Sequence, residues 1–504
     1  MACRDRRASD DARPGGGRGP RDSYEIWLVD QSDTNGLAYG GTVYVYDGGD
    51  VTRRLSAARP AAAIDLGGAT SSLCLASTGR NPVRPHMIVF NKANTHAALS
   101  FVASGHVVIF DAASRRPLTC LLTEAGAGGA RQAHALWPTE DDRYLVIANQ
   151  NGKKLERIRT DYAAGAFTQE PAATLDLAGC TTPSGAPCQS PGTRPDNAPI
   201  CPFIASDNGP VFVSLRGGGL LVADWRTTPM SIVGEYDVDH VPANGCGFIE
   251  AKGAVFGDGG GGTPANLDQF SVFRMPRSGY SASNPPNTPA VERLYDDDSP
   301  ERDAHGTAVG ARERHVWVGD RDGNVVEVFD GRTGARVNTV PLTSPFSADP
   351  TVDLFAGSPD RAWVFASTRG PNPLSGDPHS SHGSDPGLLI VRMTDEGRAG
   401  QVRGLIPITN VDAGASSAPT RTPSGYVTCA DPSPAPNPLG SPRTPWRSAR
   451  PGHGARPGRG GRGGRAGQLW PVVSTILPRL PRRSRSSWAS LARSSGTTAS
   501  TGTR

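Results

Sequence analysis

The sequence predicts an all-β fold, a seven-bladed β-propeller with disordered N- and C-terminal extensions, and three observations carry that prediction. Short β-branched and aromatic runs bounded by turn residues recur along the chain: Thr42–Tyr46, His106–Phe110, Tyr144–Ala148, His315–Gly319 and Val325–Phe329. The units that hold them repeat, since the intervals His86 to His134 and His305 to Asp353 are both 48 residues. Glycine and proline together make 62 plus 45 of the 504 residues, so turns must be frequent.

The first 22 residues hold six Arg and four Asp, and no apolar run follows them, so no secretory signal is read there. They are expected to be a disordered extension, followed by the propeller over residues 23–430 and a disordered tail over 431–504. The first unit begins at YEIWLVDQSD, continues with TVYVYDGGD and ends at Ala62–Leu66. It lacks an opening strand, which the segment Asp412–Ala430 is expected to supply from the other end of the chain. Such closure removes the open edge where the chain ends meet.

The third and sixth units share one grammar. Asn149 and Asp320 each lie 15 positions after His134 and His305, and Asn151-Gly152 and Asp322-Gly323 each begin 17 positions after them. These dipeptides supply the positive φ angles of type I′ hairpin turns. Asp111 and Asp330, 25 positions after His86 and His305, should cap turns through their short carboxylates. Further unit starts fall near Asn197, Asn244 and Asp412. Longer intervals coincide with the insertions Cys180–Arg194, Gly257–Gly262, Ser278–Pro289 and Arg369–Gly387. No capped helix is expected. Four-stranded units repeated about seven times describe a propeller.

The run HVWVGDRDGNVVEVFDGRTGARVNTV (His315–Val340) resembles the repeat of YVTN-type, lactonase-like seven-bladed propellers. That superfamily includes the β-chain of quinoprotein amine dehydrogenases and the haem-binding propeller of a class of nitrite reductases. The resemblance covers about residues 23–430 and implies the fold. Its members range from sugar-lactone hydrolases to scaffolds, and no lactonase catalytic set is recognisable here, so the catalytic residues stay unknown.

In this architecture the first strand of each blade lines the central channel. His86, His134, Asn197, Asn244, His305, Asp353 and Asp412 would then ring one mouth of it. Neutral imidazole and carboxylate are ligands for zinc, copper or non-haem iron. His86, His134 and His305, with Asp353 assisting, are therefore the candidate transition-metal or ligand site. The competing reading is a structural latch between blades, and a third is an anionic or sugar-like ligand held without metal. The strand-end groups Asp30, Asn149, Asp258 and Asp320 read as turn caps rather than acid–base groups, and HSSH (His379–His382) is a loop motif with metal-ligand spacing. No phosphate-binding glycine loop, G-x-S-x-G elbow or H-E-x-x-H occurs.

Of eight cysteines, Cys180 with Cys188 and Cys201 with Cys246 are the expected disulfides. Disulfides imply an oxidising, secreted or periplasm-like compartment, which conflicts with the missing signal peptide and places the N-terminal gene model under suspicion. Localisation is left open.

Charge divides the chain. Residues 431–504 carry 13 Arg against Asp431, net +12, and the first 22 residues carry +2, so the body carries 4 − 12 − 2 = −10. An acidic body disfavours nucleic acid. The tail reads in three ways: an RGG-like arm for nucleic acid, a solvated linker, or translation in a wrong frame. No stretch of 18 apolar residues argues for a membrane-spanning helix. Function reads first as a binding scaffold that presents loop faces and a channel to a protein or small-molecule ligand. The alternative is a metal- or cofactor-dependent enzyme, an oxidoreductase or lactonase-like hydrolase, with a His-lined channel mouth.

Overall fold

Seven antiparallel sheets carry the chain around one axis, and the four-strand blade is their common unit. The structure is a computed structural model that describes residues 24–242, 245–261, 268–371 and 382–408, with the strand Gly425–Ala430 as backbone alone. The innermost strands are, in blade order, Gly425–Ala430, Pro85–Phe90, Ala133–Pro138, Pro199–Ile204, Phe248–Ala251, Ala304–Val309 and Val352–Gly357. Gly425–Ala430 pairs antiparallel with Glu25–Asp30 and completes blade one, as the sequence anticipates.

Apolar pattern follows position in the blade. Pro85–Phe90, Ala133–Pro138, Pro199–Ile204 and Ala304–Val309 are buried at every residue, because both faces meet neighbouring blades. The outermost strands Arg116–Leu122 and Arg336–Pro341 are half-exposed and carry polar groups. Aromatic rings bridge the blades: Trp27 to Phe90 at 5.2 Å, Trp137 to Phe203 at 5.0 Å and Phe203 to Phe248 at 5.8 Å.

Because strands alternate in direction, loops sort onto two faces. Connections between blades, and between second and third strands, open where the inner strands begin, the entry face. The remaining hairpins open on the exit face. The insertion Cys180–Arg194 therefore opens on the entry face, whereas Ser278–Pro289 lies on the opposite one.

Three expectations are corrected. Among the described residues there are two short α-helices, Gly48–Arg53 and Ser71–Thr78. The first is capped by Asp47, whose side chain accepts from the Asp50 N–H at 2.9 Å. Gly79 ends the second at φ +74°. The Asn-Gly and Asp-Gly turns are not type I′: positive φ falls on Lys153 and Asn324, the residues after each glycine. Glycine is needed there for space, since a Cβ on Gly152 or Gly323 would lie 2.3 Å from Asn149 Nδ2 or 2.4 Å from Asp320 Oδ2. The capping role stands, with Gly152 and Gly323 N–H groups donating to Asn149 and Asp320. Asn197 is not in an inner strand; it precedes Pro199–Ile204, and its Nδ2 donates to Leu177 O at 2.5 Å. Asn244, Asp412 and His379 lie outside the described residues.

Disulfides join Cys180 to Cys188 and Cys201 to Cys246, as expected, and also Cys74 to Cys120. The last ties the helix Ser71–Thr78 to the outer strand Arg116–Leu122. In the chain-entropy account, losing the 45-residue link Cys201–Cys246 costs about 4 kcal/mol and losing the 8-residue link Cys180–Cys188 about 2.5 kcal/mol. Urea unfolding of the paired Cys→Ser variants should show that order; equal midpoints would contradict it. Among the described residues no helix is long and apolar enough to cross a membrane.

Candidate functional site

Five inner strands carry a β-bulge near their start, at Pro85/Ile88, Ala133/Ala135, Pro199/Pro202, Ala304/Thr307 and Val352/Phe355. The second residue of those strands is His86, His134, Ile200, His305 and Asp353 in turn. The bulge withdraws backbone groups from the ladder, and serines in the next strand recover some of them. Ser100, Ser214 and Ser367 accept from the N–H groups of Met87, Cys201 and Leu354 at 3.0, 3.2 and 3.2 Å. His86, His134, His305 and Asp353 thus share one strand position, and Ile200 takes the position expected for Asn197.

Contacts between neighbouring blades join several of these residues. His134 Nδ1 donates to Ile200 O at 2.9 Å and His305 Nδ1 to Asp353 O at 2.8 Å. The His86 and His134 rings meet edge to face at 4.7 Å, and Gln31 Nε2 lies 2.5 Å from His86 Nδ1. Two arginines absent from the sequence reading complete the cluster. Arg369 Nη2 reaches Asp353 Oδ1 at 2.9 Å, and Arg321 Nη1 reaches the same oxygen at 3.3 Å. Arg321 also forks onto Asp303, at 2.8 and 2.9 Å. His86, His134, Asp353 and Arg369 are 0% exposed and His305 is 3% exposed.

These arginines had a readable signal. Gln150, Arg321 and Arg369 each lie 16 positions after His134, His305 and Asp353, one residue beyond the strand end. Gln31 follows Asp30 in the same way. The grammar that marks the caps thus also marks Gln31, Arg321 and Arg369, which contact the ring.

Burial keeps the His86 and His305 imidazoles neutral. Burial lowers His86 well below 6.5, with His134 and Arg369 adding to the effect. Burial, then Arg321 and Arg369, does the same to His305. Burial works against the Arg321 guanidinium, but Asp303 and Asp353 outweigh it and raise its pKa. Burial pushes Asp258 up to about 7 against the N–H of Gly247. His106, outside the ring, falls to about 4 through burial, then Arg80 and Arg131.

The linkage signs differ between groups. A buried neutral imidazole contributes stability present above about 6.5 and lost as pH falls below it. Asp258 has the opposite sign, its cost being relieved as pH falls from about 7 toward 3.8. A site-resolved reading is therefore the useful one. In an NMR pH titration His106 should titrate near 4, and His86 and His305 should stay neutral well below 6.5. A midpoint at or above 6.5 for either ring imidazole would contradict this account.

Metal-ligating atoms converge in two sets, one of which shares His134 with the ring. Among the described residues, Cys74, His106 and Cys120 form one set with donor atoms within 4.8 Å of one another, and His134, Cys201 and Cys246 form another. In both sets the sulfurs are bonded to each other as disulfides.

No family model matches the chain, and no curated protein matches it. A solved structure of a Lactobacillus plantarum protein aligns with a TM-score of 0.51 and 12% identity, over 81% of this chain and 99% of that one. The dihydro-haem d1 dehydrogenase NirN aligns at 0.43 with 11% identity, over 82% and 77% of the two chains. A Bacteroides uniformis protein, described as a candidate 6-phosphogluconolactonase, aligns at 0.42 with 10% identity, over 61% and 77%. The first of these supports the seven-bladed fold, and identities this low carry the fold alone.

Proposed function

We propose that this chain is a binding scaffold that receives a protein or small-molecule ligand on its entry face. One observation carries the reading: the channel-end ring is filled by its own groups. His86, His134, His305, Asp353, Arg321 and Arg369 are at most 3% exposed, which leaves no approach for substrate. Two guanidinium groups beside the imidazoles also oppose a metal cation, since like charges repel most strongly where water is excluded. The ring reads as a latch. Recognition then falls to the loops around it, including Cys180–Arg194, which its own disulfide stiffens. The likeness of the repeat to YVTN-type propellers is compatible with this, because that superfamily includes scaffolds.

Metal analysis of purified protein tests the reading against its enzymatic rival. The expected result is protein free of zinc, copper and iron. Stoichiometric metal lost in a His134→Ala/His305→Ala variant would overturn the latch. A second arm exchanges loops for Gly-Ser linkers. Capture of a defined partner should be lost when residues 179–189 are exchanged and kept when residues 278–289 are.

A further inference from the structure

A second site stands on the exit face, away from the ring. A groove of about 730 Å³ opens between blades two and three. Blade two contributes the turn Asn91–His96 and blade three the turns around Asp142 and Tyr162. The aromatic wall is formed by His96 and Tyr162, whose rings lie 4.9 Å apart. Each is fixed in place: Thr95 Oγ1 lies 2.9 Å from His96 Nδ1, and the half-buried Tyr162 packs edge-on against Phe167, ring centroids 5.5 Å apart.

Charges of both signs line the groove in equal number. Arg143 and Arg159 are neighbours across a strand pair, Arg159 lying opposite Tyr144. Their side chains are 69% and 65% exposed. Arg143 approaches Asp141 at 3.9 Å, and Arg159 pairs with Glu170. A guanidinium has five N–H donors, so both keep donors for a ligand. Asp142 takes N–H groups from Lys92 at 2.7 Å and Ala93 at 3.3 Å, and Asp161 takes that of Ala164 at 3.0 Å. Each carboxylate has further acceptor capacity beyond these bonds. Burial lowers the pKa of His96, so its ring adds no charge near neutrality.

We propose that this groove binds a small zwitterion with a flat apolar body, of which an aromatic α-amino acid is the simplest case. The guanidiniums of Arg143 and Arg159 take its carboxylate. Asp142 and Asp161 take its ammonium, and its ring lies against His96 and Tyr162. A balanced lining matches neither a simple anion nor a simple cation as well as it matches a molecule with one charge of each sign.

Three probes separate the parts: L-phenylalanine, 3-phenylpropionate, which lacks the ammonium, and phenethylamine, which lacks the carboxylate. Calorimetric titration should show phenylalanine binding more tightly than either fragment. Arg143→Gln/Arg159→Gln should weaken phenylalanine and 3-phenylpropionate by about tenfold or more, the scale of one charge-assisted hydrogen bond, and leave phenethylamine unchanged. Both arginines are exposed, and an unshifted melting temperature would confirm the variant's fold. No saturable binding of phenylalanine at about 10 mM, a concentration that detects even Kd values weaker than millimolar, would overturn the proposal. So would equal affinities in the two proteins.

Discussion

Replacing Asp353 with alanine should destabilise the protein by about 3–5 kcal/mol, the cost of breaking a buried ion pair from one side. Its Oδ1 is the common acceptor for Arg369 and Arg321, and removing it leaves Arg369 at 0% exposure without that partner. Arg321 keeps its fork on Asp303, so the loss falls mainly on blade seven. The double variant Asp353→Ala/Arg369→Met should recover much of the loss, because the buried cation that Asp353 balances is then gone as well. Urea unfolding of wild type, both single variants and the double variant closes the cycle. A single-variant cost under about 1 kcal/mol, the value of an ordinary exposed pair, would mean the cluster is solvated and not a latch.

Deleting the strand Gly425–Ala430 by ending the chain at residue 408 should abolish cooperative folding. This strand covers Glu25–Asp30 through a six-pair antiparallel register. Ile26, Trp27, Leu28 and Val29 are all 0% exposed. Without the strand they sit at an open, flat, apolar edge, the arrangement that promotes chain-to-chain pairing. Loss of near-ultraviolet circular dichroism and oligomers on size exclusion are expected. A soluble monomer with the parent's melting temperature would show that blade one stands as a three-stranded sheet.

Much of this architecture is legible because propeller blades repeat a physical requirement. Each inner strand must be apolar on both faces, which makes PHMIVF and AHALWP stand out, and each hairpin needs a short polar cap near its turn. Offsets of 15 and 17 residues therefore survive while the residues between them vary. The 16-residue offset is less legible because a neutral amide, Gln150, stands in one unit where arginine stands in two others, Arg321 and Arg369. Asn197 misled for a related reason. It is polar and close to a unit start, but the following bulged strand places Ile200 at the ring level. The helix Ser71–Thr78 was hidden because it lacks a side-chain cap and its burial is confined to Ser71 and Cys74. It is held instead by Cys74–Cys120, a long-range bond that no local pattern announces.

The same closure has a consequence for synthesis. A ribosome releases Glu25–Asp30 long before it reaches Gly425–Ala430, so six blades can assemble while the first still lacks its inner member. Throughout that interval Trp27 and its neighbours stay at an uncovered apolar edge. Chaperone capture during translation should therefore concentrate on the opening segment of the polypeptide, and end when the last strand emerges.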